Sequence, residues 1–520
     1  MAQPDPPLPQ EPPPPDEFSH PPRRELRAYP SRLAAALVFF ASGAVLVLEI
    51  VALRLVAPYV GITLQTNTAV IGVALAAIAT GAWAGGRLAD DVDPRRLVPG
   101  ALVFGGAMTM LTLPLIRIVG PEMQSSDPLT ATALSFVGVF APSAFLASVT
   151  PMVVKLQLGD LRRTGSVVGR LSGIGTLGAI LATFVTGFVL VAALPSSVIV
   201  VGLGLLTLLV GVALTLTPGS RWRPPIALLL VGLFGAGLSV IVPSPCQSET
   251  AYHCVRVVDD PARPAGRFLV LDTLLHSYVD VSDPTYLDFP YVQAIASVAD
   301  VLRPAGQPVS ALHLGGGGLT LPRYLAATRP GTRSRVLEID GGVIAFDRAN
   351  LALRDLPGLT IDIGDARVNV AGEPTAGRDL VVGDAFGGLA VPWHLTTREV
   401  VAQIRRILRP GGVYAVNVID FPPDRFIRAE VATIASVFPN VAIVADASSL
   451  TGAGGGNFVV VASASPLPVA ALRARLARRG SKLAVAAGGA VARFAGDAVI
   501  LRDDYAPVDQ LLTHPPQRAG

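Results

Sequence analysis

The stretch VSALHLGGGGLT, residues 309–320, decides how the C-terminal half reads. A short run of strand composition enters the glycines Gly315–Gly318, and a helical pattern follows at about 319–328. Missing side chains there let a ligand approach the backbone and the N-terminus of the next helix. Outward from this point, strands and helices alternate. A helix at about 290–303 precedes the stretch. The strand SRVLEID, a helix around 341–353, and the strands LTIDIGDA and DLVVGDAF follow it. A helix at about 396–408 ends at RPGG and leads to VYAVNVI, with VAIVAD and NFVVVAS beyond. Such alternation predicts a doubly wound parallel sheet over 291–465. Residues 243–290 are different. YHCVRVV and RFLVLDTLLHSYVDV flank the turn DDPARPAG and predict a small β-hairpin subdomain. Residues 466–520 form a C-terminal extension, whose basic helix LRARLARR reads as a solvated face.

The N-terminal half reads as membrane. The 520-residue chain is 51% hydrophobic and 15% charged; a soluble globular protein carries roughly 25% charged residues. Apolar stretches of about 20 residues span a bilayer. They occur at roughly 33–57, 67–86, 97–119, 129–153, 171–193, 196–216 and 225–242, which predicts about seven transmembrane helices. A Pro-rich leader, residues 1–31, precedes them and reads as disordered. One set of alternate loops carries Arg23, Arg24, Arg27, Arg32, Arg87, Arg95, Arg96, Lys155, Arg162, Arg163, Arg170, Arg221 and Arg223. The other set carries only Arg117, near an end. Positive loops stay cytoplasmic. The N-terminus is therefore expected inside, and an odd number of spans puts the domain after Val242 outside. Cys246 and Cys254, just past the last span, are candidates for a disulfide, which needs an oxidising compartment. Glu49 and Arg54 are polar residues of the first span, open to two readings: a site for a cation or polar substrate, or a structural ion pair or hydrogen bond within the bundle. Gly81/Gly85 and Gly169/Gly173 have the spacing of close helix packing.

Acidic residues stand at successive strand ends of the soluble half. Glu338 lies 23 residues past Gly315, the position of an acid that accepts both hydroxyl protons of a ribose. Asp365 follows the third strand and Asp384 ends the fourth. Each alone is equally a helix cap. Together, in order, they point to a nucleoside site. The net charge of +3 and the absence of a basic cluster argue against nucleic acid as a partner. His253, His276, His313 and His394 have no metal-ligand spacing with the cysteines, so no metal is expected. Asp503 and Asp504 read as a surface pair that either stays exposed or reaches the site from the tail.

These residues resemble the spermidine synthase (polyamine aminopropyltransferase) family, in its form fused to a membrane bundle. The resemblance covers about 245–465, with LEIVALRLVAPYVG…GAWAGGRLAD in the bundle and LRDDYAPVDQLL at the end. It implies a Rossmann-like methyltransferase fold. It also implies aminopropyl transfer from decarboxylated S-adenosylmethionine, as co-substrate, to putrescine or another small amine, with no prosthetic group. Gly315, Gly316 and Gly317 match the start of the family's GGGDGG loop, Glu338 its ribose-binding acid, and Asp365 in GDAR its adenine-side acid. Asp384 matches the first Asp of the catalytic DxxD loop, and Tyr291 in FPY a tyrosine of the amine pocket. His276 in LDTLLHS stands where the family has Gln. Gly318 and Gly387 replace two of its carboxylates, which would hold cationic donor and acceptor. Three functions are open at this stage. The first is a membrane-bound aminopropyltransferase with Asp384 as base. The second is a non-catalytic nucleoside- or polyamine-binding or transport module. The third is methyl transfer on the same fold. Assembly, a homodimer included, is not fixed by the sequence.

Overall fold

The computed structural model describes residues 28–124, 127–158, 161–216, 226–388 and 390–513. The Pro-rich leader up to residue 27, and with it Arg23, Arg24 and Arg27, lies outside them, as do Arg221 and Arg223. Six helices are long and apolar enough to cross a membrane. They are α1 (Ser31–Val60), α2 (Leu64–Asp91), α3 (Pro94–Val119), α4 (Pro128–Gln157), α5 (Thr164–Ala193) and α6 (Ser196–Thr215). Of the seventh expected span, the described residues include α7 (Ile226–Ile241), 16 residues. Among the described residues the count of helices of full spanning length is six, corrected from about seven. Composition alone does not see where a helix begins.

Local chemistry sets the helix starts. The Thr63 hydroxyl accepts the Thr66 N–H at 3.1 Å, and Asp93 caps α3 ahead of Pro94. Gly81 and Gly85 press against Ala144 and Ser148 of α4, so that small-residue pair does pack. Gly169 and Gly173 meet nothing within 4 Å. Arg54 and Arg117 apart, the described basic residues gather at one end of the bundle. Lys155 pairs with Asp90, Arg95 donates to the Ala28 carbonyl, and the Gln157 amide donates to the Tyr29 carbonyl.

The soluble domain sits at the other end. There the Arg54 Nε donates to the Ser196 hydroxyl at 3.1 Å, and its guanidinium reaches the carbonyls of Thr250 and Ala251. Arg117 donates to the Ser239 carbonyl and lies 3.8 Å from Glu249. Arg54 thus fastens the bundle to the soluble domain. Glu49 has no hydrogen-bond or ion-pair partner among the described residues, so the two do not form a pair.

The small subdomain is a four-stranded antiparallel sheet rather than a single hairpin. Its strands are β1 (Ser248–Glu249), β2 (Cys254–Asp259), β3 (Gly266–Leu271) and β4 (Leu274–Asp280), in that order. The large sheet has eight strands: β5 (Ser310–Leu314), β6 (Arg333–Glu338), β7 (Leu359–Ile363), β8 (Arg378–Gly383), β9 (Leu408–Asp420), β10 (Asn440–Ala445), β11 (Gly456–Ser463) and β12 (Ala484–Ala487). Their order is β12-β10-β11-β9-β8-β5-β6-β7. The strands β9, β8, β5, β6 and β7 run parallel, while β11, β10 and β12 are added antiparallel. The fold class, apolar helices followed by a Rossmann-like methyltransferase sheet, is as expected from the sequence. The sheet continues past residue 465, because β12 in the C-terminal extension pairs with β10.

Side chains alternate across the sheet. Tyr414, Val416 and Val418 of β9 enter the core on one face; Val413 and Ala415 enter the other. On the second face α8 (Pro290–Leu302) packs beside the helix Val469–Arg478. That basic helix is not merely solvated. Arg475 and Arg479 both donate to Asp300 on α8, at 2.7 and 2.8 Å.

Candidate active site

The strand order reverses at β5. The chain runs from β5 to β6 and β7 on one side, then returns to place β8 on the other. A crevice opens at the carboxyl ends of such strands. Gly315 leaves β5 there with φ +100°, and a Cβ on it would meet the Asp384 carbonyl carbon at 2.9 Å. The bend therefore excludes L side chains on both dihedral and steric grounds. Main-chain bonds fix it: Gly315 N–H donates to Leu337 O, and Asp384 N–H to Leu314 O, each at 2.9 Å.

Two clefts flank this bend. One, of ≈ 680 Å³, is lined by Glu338, Asp365, His253 and His394 together with Leu271, Ile339 and Val343. The other, of ≈ 630 Å³, is lined by Tyr291, His313 and the apolar Val292, Ile295 and Leu321. Gly315, Gly316, Gly317, His276, Asp384 and Phe386 border both. The residues singled out in the sequence thus share one crevice.

Glu338 ends β6 and is 8% exposed. Its Oε2 accepts the Gly316 N–H at 2.7 Å and its Oε1 the Asp340 N–H at 2.9 Å. Burial pushes its carboxyl up, and those two N–H groups pull the other way. Asp365 caps the helix Ala366–Ala371 with one oxygen, which accepts the Arg367 N–H at 2.7 Å. Its other oxygen lies 3.4 Å from His394 Nε2. The capping and cleft roles coexist on its two oxygens.

Asp384 is held by two neutral groups. Its Oδ1 accepts from the Asn417 amide at 3.0 Å, and its Oδ2 from the Tyr291 hydroxyl at 3.3 Å. The Asn417 carbonyl oxygen in turn accepts from the Asn457 amide at 3.0 Å. Burial raises the Asp384 carboxyl to about 6, against the smaller lowering from Asn417 and Tyr291. Such a carboxylate is poised to take up a proton near neutral pH. His276 is pushed down to about 4 by burial, with a further push from His253, and is neutral at pH 7.

At Gly318, φ is +72° and a Cβ would meet the Ser277 Cβ at 2.8 Å, so no carboxylate side chain fits on this backbone. Its N–H donates to Asp347 Oδ2 at 2.8 Å. Asp347, fully buried and pushed up to about 7 by burial, supports the loop from behind and lines neither cleft. At Gly387 a Cβ meets nothing within 4 Å. Asp503 accepts from Arg367 and Thr397, both at 2.6 Å, and ties the tail to the helix behind Asp365 without lining either cleft.

Asn417, Asn457, Asp347 and Phe386 escaped the sequence reading. Asn417 alone gave a signal: an amide inside the apolar strand VYAVNVI needs a partner. Cys246 and Cys254 are disulfide-bonded at the foot of β2. The Cys254 N–H donates to Asp272, which also holds His253 at the rim of the first cleft.

A relative supports the resemblance carried by these residues. A polyamine aminopropyltransferase of Vibrio vulnificus is 31% identical over 153 residues, 29% of this chain and 49% of the relative. The soluble half resembles the polyamine aminopropyltransferases. The chain spans about half the length of this spermidine-synthase relative. Among solved structures, a probable spermidine synthase from Corynebacterium glutamicum aligns at 27% identity, over 52% of this chain and 98% of its own, with a TM-score of 0.46. The spermidine synthase of Thermotoga maritima aligns at 17% identity, over 51% of this chain and 86% of its own, with a TM-score of 0.35. No family model matches the chain.

Proposed function

We propose that this chain is a membrane-bound transferase of the spermidine-synthase type, which moves an aminopropyl group from decarboxylated S-adenosylmethionine to an amine. The observation that carries the reading is the convergence of Gly315–Gly317, Glu338, Asp365 and Asp384 on one crevice at the switch point of the sheet. In this reading the cleft of Glu338 and Asp365 holds the nucleoside. Leu271, Ile339 and Val343 cover its flat base, and Glu338 accepts from the ribose diol. The amine enters the Tyr291 cleft. Asp384 removes its proton, the freed nitrogen attacks the carbon beside the sulfonium, and methylthioadenosine leaves. Binding without turnover is less favoured, because the curated relative is named as a transferase.

The same reading sets the six long apolar helices and α7 in a bilayer, seven crossings in all, with the N-terminus in the cytoplasm and the soluble domain outside. Two features support that orientation. The described basic residues of the bundle, Arg54 and Arg117 apart, belong to the end away from the soluble domain. The disulfide-bonded Cys246 and Cys254 belong to the end that carries it.

The decisive assay uses the full chain in detergent, with donor and amine supplied, and follows methylthioadenosine. Amine-dependent release that Asp384→Asn abolishes is the expected result. Full activity in that variant would remove Asp384 from the mechanism. Wild-type protein that binds methylthioadenosine but never forms it would sink the transferase reading.

A further inference from the structure

The Tyr291 cleft carries little charge for a site that receives cations. Among its described lining residues Asp384 is the sole acid. His276 and His313 are both neutral at pH 7, since burial lowers them to about 4 and about 3. Neither is a counter-charge for an ammonium. Val292, Ile295, Leu321 and Val382 supply apolar wall, and Ser277, Tyr291 and Thr320 supply neutral hydroxyls. The donor already brings a sulfonium and an ammonium of its own. An acceptor with two ammonium groups would leave its far end in the cleft beside neutral groups and without a carboxylate, which is unfavourable.

We propose that the acceptor is a monoamine: one nitrogen meets Asp384, and an uncharged tail lies against the Val292–Leu321 wall. This rests on the transferase reading above and narrows its substrate. The step balances. The acceptor nitrogen forms a bond to the donor carbon next to sulfur, and the carbon–sulfur bond breaks. Its electron pair stays on sulfur as methylthioadenosine, and the nitrogen's proton passes to the Asp384 carboxylate.

The test is calorimetry on the full-length protein in detergent micelles. Methylthioadenosine is titrated first. Then 1-aminobutane and 1,4-diaminobutane, equal in length, are titrated into the methylthioadenosine-loaded protein. The monoamine should bind about tenfold tighter or better. Equal or tighter binding of the diamine, or no binding of either amine, overturns the proposal. Failure of methylthioadenosine itself to bind strikes the nucleoside reading instead, so the two failures are told apart. Gly387→Asp supplies a second readout. That position is exposed, has room for a side chain and lies outside the left-handed region. It follows Phe386, which borders the cleft. The added carboxylate should narrow the gap between the two amines by about tenfold. An unchanged ratio would refute the charge argument.

Discussion

Asp384 shows how one carboxylate is tuned by its surroundings. It is buried among neutral donors, with no cation bonded to it, so its acid form is favoured up to about pH 6. A base must be ionised to accept a proton. The rate should therefore rise with pH through about 6 and fall about tenfold per unit below it. A flat profile between pH 5 and 7 would show that another group takes the proton. Asp384→Asn should lower turnover by about 10²-fold or more while methylthioadenosine affinity stays constant. Asn417→Ala removes one of the carboxylate's donors. The acid form then gains, and the midpoint of the profile should move upward. A midpoint that stays put would mean that the amide is structural only. Glu338→Gln keeps the shape of the side chain but loses an acceptor. Since Glu338 binds the Gly316 N–H as well as facing the first cleft, methylthioadenosine binding should weaken by about tenfold or more.

At the scale of elements, α8 and the basic helix Val469–Arg478 are joined through one acid. Asp300 accepts from Arg475, Arg479 and the Tyr324 hydroxyl, and it lies 3.8 Å from Arg329, which is 1% exposed. Removing the acid leaves a buried guanidinium without its counter-charge. Asp300→Ala should cost about 3 kcal/mol, the usual range for breaking a buried pair. Denaturant unfolding of the full chain measures it, and a loss below about 0.5 kcal/mol would place the cluster with exposed surface pairs. Sequence pattern located these helices to within a few residues because their apolar spacing is local. It did not show that three arginines, on helices separated by over a hundred residues, close on one aspartate.

For the whole molecule, the join between bundle and soluble domain is polar and specific. Arg54 ends its reach on the carbonyls of Thr250 and Ala251, inside the loop closed by Cys246 and Cys254. Arg54→Met removes those bonds, so limited proteolysis after α7 should accelerate about tenfold as the loop opens more often. The proposed orientation has its own test. Cys246 and Cys254 are the only cysteines of the chain. In intact spheroplasts a bulky membrane-impermeant maleimide should label them only after reductant is added. Labelling without reductant, or none after it, would argue against a disulfide facing the outside.

The amino-acid sequence by itself determined the division into an apolar helical half and an α/β half, the glycine bend and the acids at the strand tips. All of these are written in short-range periodicity and spacing. Tertiary structure alone decided which side chains share the crevice. Asn417 reaches Asp384 from β9 and is itself held by Asn457 of β11, and Asp347 supports the loop at Gly318. It also decided that Arg54 is an anchor between the bundle and the soluble domain. Hydrogen bonds between distant strands, and the burial that shifts a carboxylate, exist only once the sheet has ordered its strands.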